Sequence, residues 1–278
     1  MTVITRFAPS PTGLLHPGHA YAAYAAFGLA ERLGGTCLLR IENIDPTRCK
    51  DENIPLILDD LHWLGLAWPE PVRIQSHHMD DYRQAIDKLH ALDMLYPCFC
   101  TRAEIAAAQP QQTVEGPDGP IYPGTCRHLG AAERQRRMDA GVPHSWRLKT
   151  DKALAHTGAL TWQDMHAGTV PVEGDFIGDV ILVRKETPTS YHLSVTVDDA
   201  LQGITHVTRG MDMFGATGIH RILQALLDLP TPTYNHHPLM IDPTTGKRYA
   251  KSYRSVTLQE LRAGGKTRAD VRHMVGLD

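Results

Sequence analysis

The sequence predicts an α/β fold with a mostly parallel sheet and one insertion near the middle of the chain. β-prone stretches alternate with helical ones up to about residue 95 and again after about residue 180, which is the order that parallel sheets require. Between these points the alternation breaks at a cysteine cluster and a Pro/Gly/Gln-rich loop over residues 109–125. Apolar residues make up 42% of the 278 residues and charged residues 21%, which excludes a disordered or coiled-coil protein.

The elements of the first part follow from apolar periodicity and from the residues that stop it. A β-prone stretch ends at the breakers that begin with Pro9, and a helical stretch rich in Ala, Tyr and Leu ends at Gly34 and Gly35. We therefore predict strands over residues 2–8 and 36–41 and helices over residues 19–33, 51–64 and 80–95.

The alternation that resumes after the insertion predicts a second set of elements. We expect strands over residues 180–184, 194–197 and 205–208 and a helix over about 215–227. The predicted units are a core formed by residues 1–95 and 180–246, an insertion over 96–179 and a short helical segment over 247–278.

Charge is distributed unevenly along the chain. The net charge is −3, which by itself does not indicate a nucleic-acid partner. Residues 247–278, however, hold eight Lys and Arg against three Asp and Glu, so they form either a phosphate-binding surface or a solvated helix face. The longest weakly polar run, over residues 21–30, is too short to cross a bilayer, and the N-terminus shows no secretion signal. We expect a cytoplasmic protein with no membrane partner.

The most informative motif is His16-Pro17-Gly18-His19, which stands between a predicted strand and a predicted helix. A helix N-terminus offers free backbone N–H groups and the positive end of the helix dipole to an anion. Two histidines there can stabilise charge that develops on a phosphate, and Gly18 lets a flat base approach the backbone. Two ordinary surface histidines are the alternative, which the position between strand and helix disfavours.

A second motif contains three of the five cysteines. Cys98 and Cys100 form a Cys-x-Cys pair, and Cys126 follows after the Pro/Gly-rich loop. Three thiols with one further N or O ligand form a closed, structural zinc site. Three buried free cysteines are the alternative to a metal. Cys37 and Cys49 have no such neighbours in the sequence.

Four motifs in this order resemble the class I glutamyl-tRNA synthetase family. Residues 16–19 resemble its His-x-Gly-His motif, residues 39–48 its second strand and acidic loop, residues 197–210 its fourth-strand region, and residues 246–252 its Lys-Met-Ser-Lys-Ser motif. This resemblance implies a Rossmann-like class I aminoacyl-tRNA synthetase catalytic domain with a zinc-containing insertion. The chain departs from the family at Pro17, Arg248 and Ala250.

The resemblance also implies roles for individual residues. Glutamate would lie against six residues, which are Arg6, Ala8, Ser10, Glu42, Tyr191 and Arg209. ATP, with Mg²⁺, would bind at His16, Gly18, His19 and Lys251, of which the histidines and Lys251 would stabilise phosphate charge.

Chemistry gives a separate reason for the charged members of that pocket. A diacid that carries an ammonium group needs a carboxylate for its nitrogen and guanidinium groups for its acids. Arg6, Glu42, Tyr191 and Arg209 fall at the ends of separate predicted strands, where open α/β sheets bind ligands. Surface arginines and one structural ion pair are the alternative.

The resemblance is greatest to the short members of this family, the glutamyl-Q tRNA(Asp) synthetases, which lack the anticodon-binding region. Those enzymes attach glutamate to queuosine in the anticodon of tRNA(Asp). We therefore expect glutamate, ATP and queuosine-containing tRNA(Asp) as partners of a monomer. The zinc pattern of the short members selects Tyr122 as the fourth ligand, whereas the pattern of some long members selects His128. A compact enzyme that charges a tRNA 3′ end and a non-catalytic tRNA-binding paralogue are the alternatives.

Overall fold

The computed structural model describes residues 2–241, 246 and 256–277, so the predicted site residue Lys251 and the substitutions Arg248 and Ala250 lie outside the described residues. The strands are β1 Ile4–Phe7, β2 Thr36–Ile41, β3 Arg73–Ile74, β4 Leu95–Cys98, β5 Glu115–Gly116, β6 Gly119–Pro120, β7 Ser145–Leu148, β8 Thr161–Asp164, β9 Gly168–Pro171, β10 Ile181–Val183, β11 His206–Gly210 and β12 Thr233–His237. The α-helices are α1 Pro17–Arg32, α2 Asn53–Trp63, α3 Met79–Ala91, α4 Arg102–Ala107, α5 Ala131–Asp139, α6 Thr150–Thr157, α7 Gly174–Ile177, α8 Tyr191–Leu201, α9 Thr217–Leu227, α10 Leu258–Ala263 and α11 Arg268–Met274.

Two sets of parallel strands confirm the predicted α/β class. In one set the order is β1-β2-β3, and in the other β11, β12 and β8 are parallel while β9 is antiparallel to β8. The two sets meet at Thr205, whose backbone N–H donates to the carbonyl of Ile4 at 2.9 Å. The hydroxyl of Thr205 accepts the backbone N–H of Ile4, also at 2.9 Å. The ends of β1 and β11 therefore face one crevice, as the carboxyl ends of parallel strands do in open α/β sheets.

The middle of the chain contributes strands to three sheets. β4, β7 and β10 form an antiparallel sheet, and β5 and β6 form a hairpin. β8 lies within the predicted insertion but pairs with β12 of the core. β10 lies after the predicted insertion but pairs with β7, which lies within it. Strand pairing therefore crosses both predicted boundaries, and the division of the chain into domains stays a prediction.

The predicted strand over residues 194–197 is wrong, because these residues lie inside α8. Ser190 caps this helix by accepting the backbone N–H of Leu193, and the Thr196 hydroxyl donates to the carbonyl of His192 at 2.7 Å. All positions from His192 to Asp199 are buried. Burial on every side removes the helical periodicity, and tertiary packing here overrides the strand preference of the β-branched residues.

The other predicted elements of the core differ from the structure mainly at their ends. Helix α1 begins at Pro17, two residues before its predicted start, because proline is well tolerated at the first helical position. Helix α3 ends at Ala91, and the following turn places Asp93 at a φ of 52° before β4 begins. No helix in the part of the chain that the structure describes has the length and apolar character needed to cross a membrane.

Two apolar cores support the crevice. One contains buried residues of α3, α8 and α9, and the other packs α1, β2 and α2 against α10 and α11. Asp60 lies within the second core on α2, between the buried side chains of Ile57 and Leu61. Neither carboxyl oxygen of Asp60 has a hydrogen-bond partner among the described residues. Burial, with a smaller contribution from the neighbouring charge of Asp59, raises the pKa of Asp60 to about 7.

Replacement of Asp60 by Asn should therefore stabilise the protein at high pH. Because the folded-state pKa is raised, the wild-type protein loses stability as the pH rises from about 4, the ordinary value, to about 7. At pH 8 we expect Asp60→Asn to raise the free energy of unfolding by about 2 kcal/mol, since each pKa unit corresponds to about 1.4 kcal/mol and part of the shift is relieved by relaxation. Denaturant unfolding at several pH values measures the difference, which should shrink towards pH 4. Asp87→Asn, on an exposed position of α3, is the control; equal pH dependence of both variants and the wild type would contradict the assignment.

Candidate active site

The floor of the crevice is a cluster of buried charges centred on two consecutive residues of α8, Asp198 and Asp199. Asp199 Oδ1 accepts hydrogen bonds from Arg6 Nε at 3.0 Å and from Arg40 Nη1 at 2.8 Å. Arg40 is completely buried. The two guanidinium groups hold the pKa of Asp199 below its ordinary value even though burial acts to raise it.

Asp198 makes a second set of contacts, and its Oδ2 also lies 3.7 Å from Nε of Arg40. It accepts hydrogen bonds from Arg73 Nε at 2.7 Å, Gln75 Nε2 at 2.8 Å and the Tyr82 hydroxyl at 3.0 Å. Its partners lie on β3, on the following turn and on α3. The two neighbouring carboxylates thus connect α8 to four other elements, because Arg6 and Arg40 lie on β1 and β2.

Glu42 follows β2 and completes the cluster. Its Oε1 accepts a hydrogen bond from Arg40 Nη2 at 3.0 Å, and its backbone N–H donates to the carbonyl of Pro9 at 3.0 Å. Burial raises the pKa of this carboxyl, and the charges of Arg40 and Arg6 oppose the rise. Among the described residues, the hydrogen bonds to this side chain all fall on Oε1, so none of these residues donates to Oε2.

Arg209 on β11 has a different environment from the other arginines of the site. Its guanidinium donates to three neutral acceptors, at 3.1 Å to His236 Nε2, at 3.0 Å to His220 Nδ1 and at 2.6 Å to Thr217 Oγ1. It is buried, and no described carboxylate forms an ion pair with it. Its positive charge is therefore available for an anionic ligand.

The two histidines beside Arg209 are held in the neutral form. Burial, together with the charge of Arg209, lowers the pKa of His236 to about 4 and the pKa of His220 well below its ordinary value. His236 Nδ1 is also hydrogen-bonded to Asp164 Oδ2 at 2.8 Å. Because Arg209 only donates, each histidine must present it with an unprotonated nitrogen.

Tyr191 joins these groups from the N-terminus of α8 and not from the end of a strand, so the predicted strand-end position of this residue is wrong. Burial raises the pKa of its hydroxyl, while the charges of Arg209 and Arg6 lower it and that of Glu42 raises it further. These interactions show that four of the predicted pocket residues converge on one volume. Their roles toward a ligand stay a prediction.

The remaining predicted pocket residues lie in the turn after β1. Ala8 is half-buried and Ser10 is exposed, and the carbonyl of Ser10 accepts the backbone N–H of Thr12 at 2.8 Å. Because Pro9 is bonded to the backbone of Glu42, this turn borders the charged cluster.

The predicted phosphate site lies at the start of α1. His16 is the N-cap residue, and its backbone N–H donates to His19 Nδ1 at 3.1 Å. The two imidazole rings are 3.7 Å apart between centroids. Since His19 Nδ1 accepts this hydrogen bond, the proton of neutral His19 lies on Nε2.

The cysteine motif forms a compact cluster beside this core. The Sγ atoms of Cys98, Cys100 and Cys126 lie within 4.8 Å of one another. The Tyr122 hydroxyl is 3.4 Å from Cys98 Sγ and 3.5 Å from Cys100 Sγ. This arrangement brings Tyr122 to the three thiols, whereas among the described residues no hydrogen bond joins His128 to them. Both candidates for the fourth ligand remain predictions.

Sequence reasoning missed the residues that hold Arg209. The pair His236-His237 shows no ligand spacing in the sequence, and His220 and His192 lie inside apolar stretches. A histidine within an otherwise apolar stretch is the available signal, because such a residue is expected to be buried and buried histidines usually have a hydrogen-bond partner.

Comparison with known proteins identifies relatives over nearly the whole chain. The family model for the catalytic domain of the class I tRNA synthetases (E and Q) matches residues 2–277. The chain is 47% identical over 282 residues to the glutamyl-Q tRNA(Asp) synthetase of Rhodobacter capsulatus, covering 99% of this chain and 100% of that relative. It is 39% identical over 269 residues to the glutamyl-Q tRNA(Asp) synthetase of Symbiobacterium thermophilum, covering 94% of this chain and 81% of that relative.

A solved structure shows the same fold. It is a crystal structure of a glutamate tRNA ligase from Elizabethkingia meningosepticum in complex with its amino acid, and it aligns with a TM-score of 0.74 at 25% sequence identity. The alignment covers 91% of this chain and 52% of the ligase, so the chain spans about half the length of that structure.

Removal of the charge of Asp199 should destabilise the fold. In Asp199→Asn the guanidinium of Arg6 loses its carboxylate while it stays buried, and a broken buried ion pair costs about 3 kcal/mol in the free energy of unfolding. Glu42→Gln is the matched control, because Arg40 keeps Asp199 in that variant, and it should cost clearly less. Denaturant unfolding of both variants measures the two values. Equal stabilities of Asp199→Asn and the wild type would show that the cluster does not hold the helix.

Proposed function

The chain belongs to the class I tRNA synthetases of the glutamate and glutamine group, and on that premise we propose that it activates L-glutamate with ATP and transfers the glutamyl group to queuosine in the anticodon of tRNA(Asp). It is a ligase of the aminoacyl-tRNA synthetase type. The observation that carries the choice of amino acid is the pairing of charges in the crevice, where Arg209 has no described carboxylate partner and Oε2 of Glu42 receives no hydrogen bond from a described residue.

The two ends of glutamate fit these two groups. The guanidinium of Arg209 binds one carboxylate of the substrate, since it is held by neutral acceptors and keeps its full charge. Glu42 Oε2 accepts a hydrogen bond from the substrate ammonium. Arg6 uses Nε and Nη1 for Asp199 and for the carbonyl of Thr208, which leaves Nη2 for the second carboxylate. The Tyr191 hydroxyl lies among these charges and orients the substrate.

Activation is a displacement at the α-phosphorus of ATP. A carboxylate oxygen of glutamate forms a bond to that phosphorus, the bond to the bridging oxygen breaks, and pyrophosphate leaves with the electron pair. His16 and His19 at the start of α1 stabilise the negative charge on the phosphate oxygens, an electrostatic role that requires no proton transfer. Mg²⁺ that accompanies ATP neutralises further phosphate charge. Lys251 belongs to the same proposal by its motif, and it lies outside the described residues.

Transfer then breaks the mixed anhydride. A hydroxyl oxygen of the acceptor attacks the glutamyl carbonyl carbon, AMP leaves, and the hydroxyl proton passes to solvent or to the leaving phosphate. Two relatives that carry the name glutamyl-Q tRNA(Asp) synthetase support queuosine as the acceptor. The glutamate tRNA ligase whose fold is shared supports a tRNA 3′ end as the competing acceptor.

We further propose that the cysteine cluster holds one structural zinc ion. Three thiols and a tyrosine hydroxyl within contact distance suit a closed site with four protein ligands. Positive charge lies nearby to balance the thiolates, since Lys185 Nζ donates to the carbonyl of Cys100 at 3.1 Å and the Arg147 guanidinium lies 3.7 Å from the centroid of the Tyr122 ring. Zinc would tie β4 to the loop that contains Cys126.

Transfer of labelled glutamate tests the acceptor. We expect label on tRNA(Asp) that contains queuosine and none on tRNA(Asp) that lacks it or on tRNA(Glu). Removal of the 3′-terminal adenosine from the tRNA should leave the labelling intact, because the proposed acceptor is in the anticodon.

Two results would contradict this proposal in different ways. Charging of tRNA(Glu) that is abolished by removal of its 3′-terminal adenosine would identify a 3′-end synthetase. If no tRNA is labelled, ATP–pyrophosphate exchange decides, and exchange that does not depend on glutamate would exclude activation of this amino acid.

Metal content and stability test the zinc site. We expect one zinc ion per wild-type chain by atomic emission, and Cys98→Ser should lose it and melt at a lower temperature, because a structural zinc contributes directly to folding. Cys37→Ser is the matched control, since Cys37 is a buried cysteine outside the cluster; its zinc content should not change. Wild-type protein that contains no zinc after purification would refute the site.

A further inference from the structure

Hydrogen-bond polarity fixes the protons in a chain of four residues that runs from Arg209 to Asp118. A guanidinium only donates, so His220 Nδ1, 3.0 Å from Arg209 Nη1, must accept. The proton of neutral His220 therefore lies on Nε2 and is donated to His192 Nδ1 at 3.0 Å. His192 in turn carries its proton on Nε2 and donates it to Asp118 Oδ2 at 2.8 Å.

Only one arrangement of protons satisfies every member of this chain. Protonation of either ring would place two N–H groups face to face at the His220–His192 contact or at the Arg209–His220 contact. The surroundings of His220 oppose such a proton, because this residue is 3% exposed and burial beside Arg209 lowers its pKa. The first donor of this series of hydrogen bonds is therefore a cation, Arg209, and the last acceptor is an anion, Asp118. Both charges favour this direction of donation.

The anionic end belongs to a different part of the molecule from the pocket. Asp118 lies in the turn between β5 and β6, and its side chain is half-exposed. The hairpin is seated against α7, where a Cβ at Gly116 would come within 2.8 Å of the carbonyl oxygen of Phe176. Gly119 permits the turn with a φ of +95°. Solvent thus reaches Asp118, while the other three members of the hydrogen-bonded series are buried.

We propose that Asp118, His192 and His220 are positioning residues that fix the guanidinium of Arg209 for the substrate carboxylate, so that the affinity for glutamate depends on the β5–β6 hairpin. This inference rests on the proposed function, because it assigns Arg209 to glutamate. His236 and Asp164 hold the Nε edge of the same guanidinium independently. Loss of Asp118 therefore frees the Nη1 edge alone, and the fold of the core remains.

The test is ATP–pyrophosphate exchange with Asp118→Ala, Asp118→Asn and the control Glu115→Ala. Glu115 is an exposed acid of the same hairpin, so its removal changes the local charge in the same way. Asp118→Ala should raise KM for glutamate about fivefold, the effect of one hydrogen bond of ordinary strength, and leave KM for ATP unchanged. Asp118→Asn should retain most of the affinity, because its amide oxygen still accepts from His192. Glu115→Ala should match the wild type.

Histidine tautomers provide a readout that does not require activity. In ¹⁵N-histidine-labelled wild-type protein at pH 7.5, NMR should show neutral His220 and His192, each with the proton on Nε2, and both signals should shift in Asp118→Ala.

The outcomes separate this inference from the proposed function. A proton on Nδ1 of His220 would contradict the proposed series of hydrogen bonds. An unchanged KM for glutamate in Asp118→Ala, measured beside an active wild type, would contradict the positioning role. An equal rise in KM for ATP also overturns it, since the hairpin would then act only through the fold. If the wild type shows no glutamate-dependent exchange, the proposed function fails, and the tautomers alone decide whether the chain exists.

Discussion

The ionic contacts of Asp198 and Asp199 are the constraint on which the rest of the site depends. Consecutive helical residues point in directions about 100° apart, so Asp199 reaches Arg6 while Asp198 reaches Arg73, and Arg40 lies within ion-pair distance of both. These arginines lie on three different strands. Helix α8 cannot slide or rotate without leaving several buried charges unpaired, which is strongly unfavourable. Tyr191 and His192 lie two turns before the two carboxylates on the same helix, and they therefore receive their positions from the same contacts.

Buried arginines have two distinct roles in this molecule, and their partners distinguish them. Arg40 meets carboxylates on two sides and is sealed from solvent, which makes it part of the framework. Arg209 donates to imidazoles and a hydroxyl, and among the described residues the carboxylates bind the imidazoles and not Arg209 itself. The protein thus stabilises the second cation by hydrogen bonding while it leaves the charge itself uncompensated by described residues. A charge held in this way is suited to binding, whereas a neutralised charge is suited to holding strands together.

The sequence predicts those features correctly whose residues lie close together along the chain. The His16–His19 motif, the strand over residues 36–41 and the cysteine pair were visible as local patterns, and the structure places them at a helix start, in β2 and in one cluster. The chain from Asp118 to Arg209 was not visible, because its members are brought together only by the folding of distant segments. The strand predicted inside α8 failed for a related reason, since burial on all sides of that helix depends on its neighbours and leaves no periodic pattern to read.

The neutral acceptors around Arg209 also bear on how the pocket would treat glutamine. Glutamine has nearly the size and shape of glutamate, but its side-chain amide has no net charge. If the proposed function holds, glutamine bound in this pocket would leave the buried guanidinium of Arg209 without a counter-ion, which costs several kcal/mol in a region of low dielectric constant. The enzyme would then distinguish glutamate from glutamine without a steric clash and without a residue that repels the amide. It would follow from the choice of imidazole and hydroxyl neighbours for one arginine.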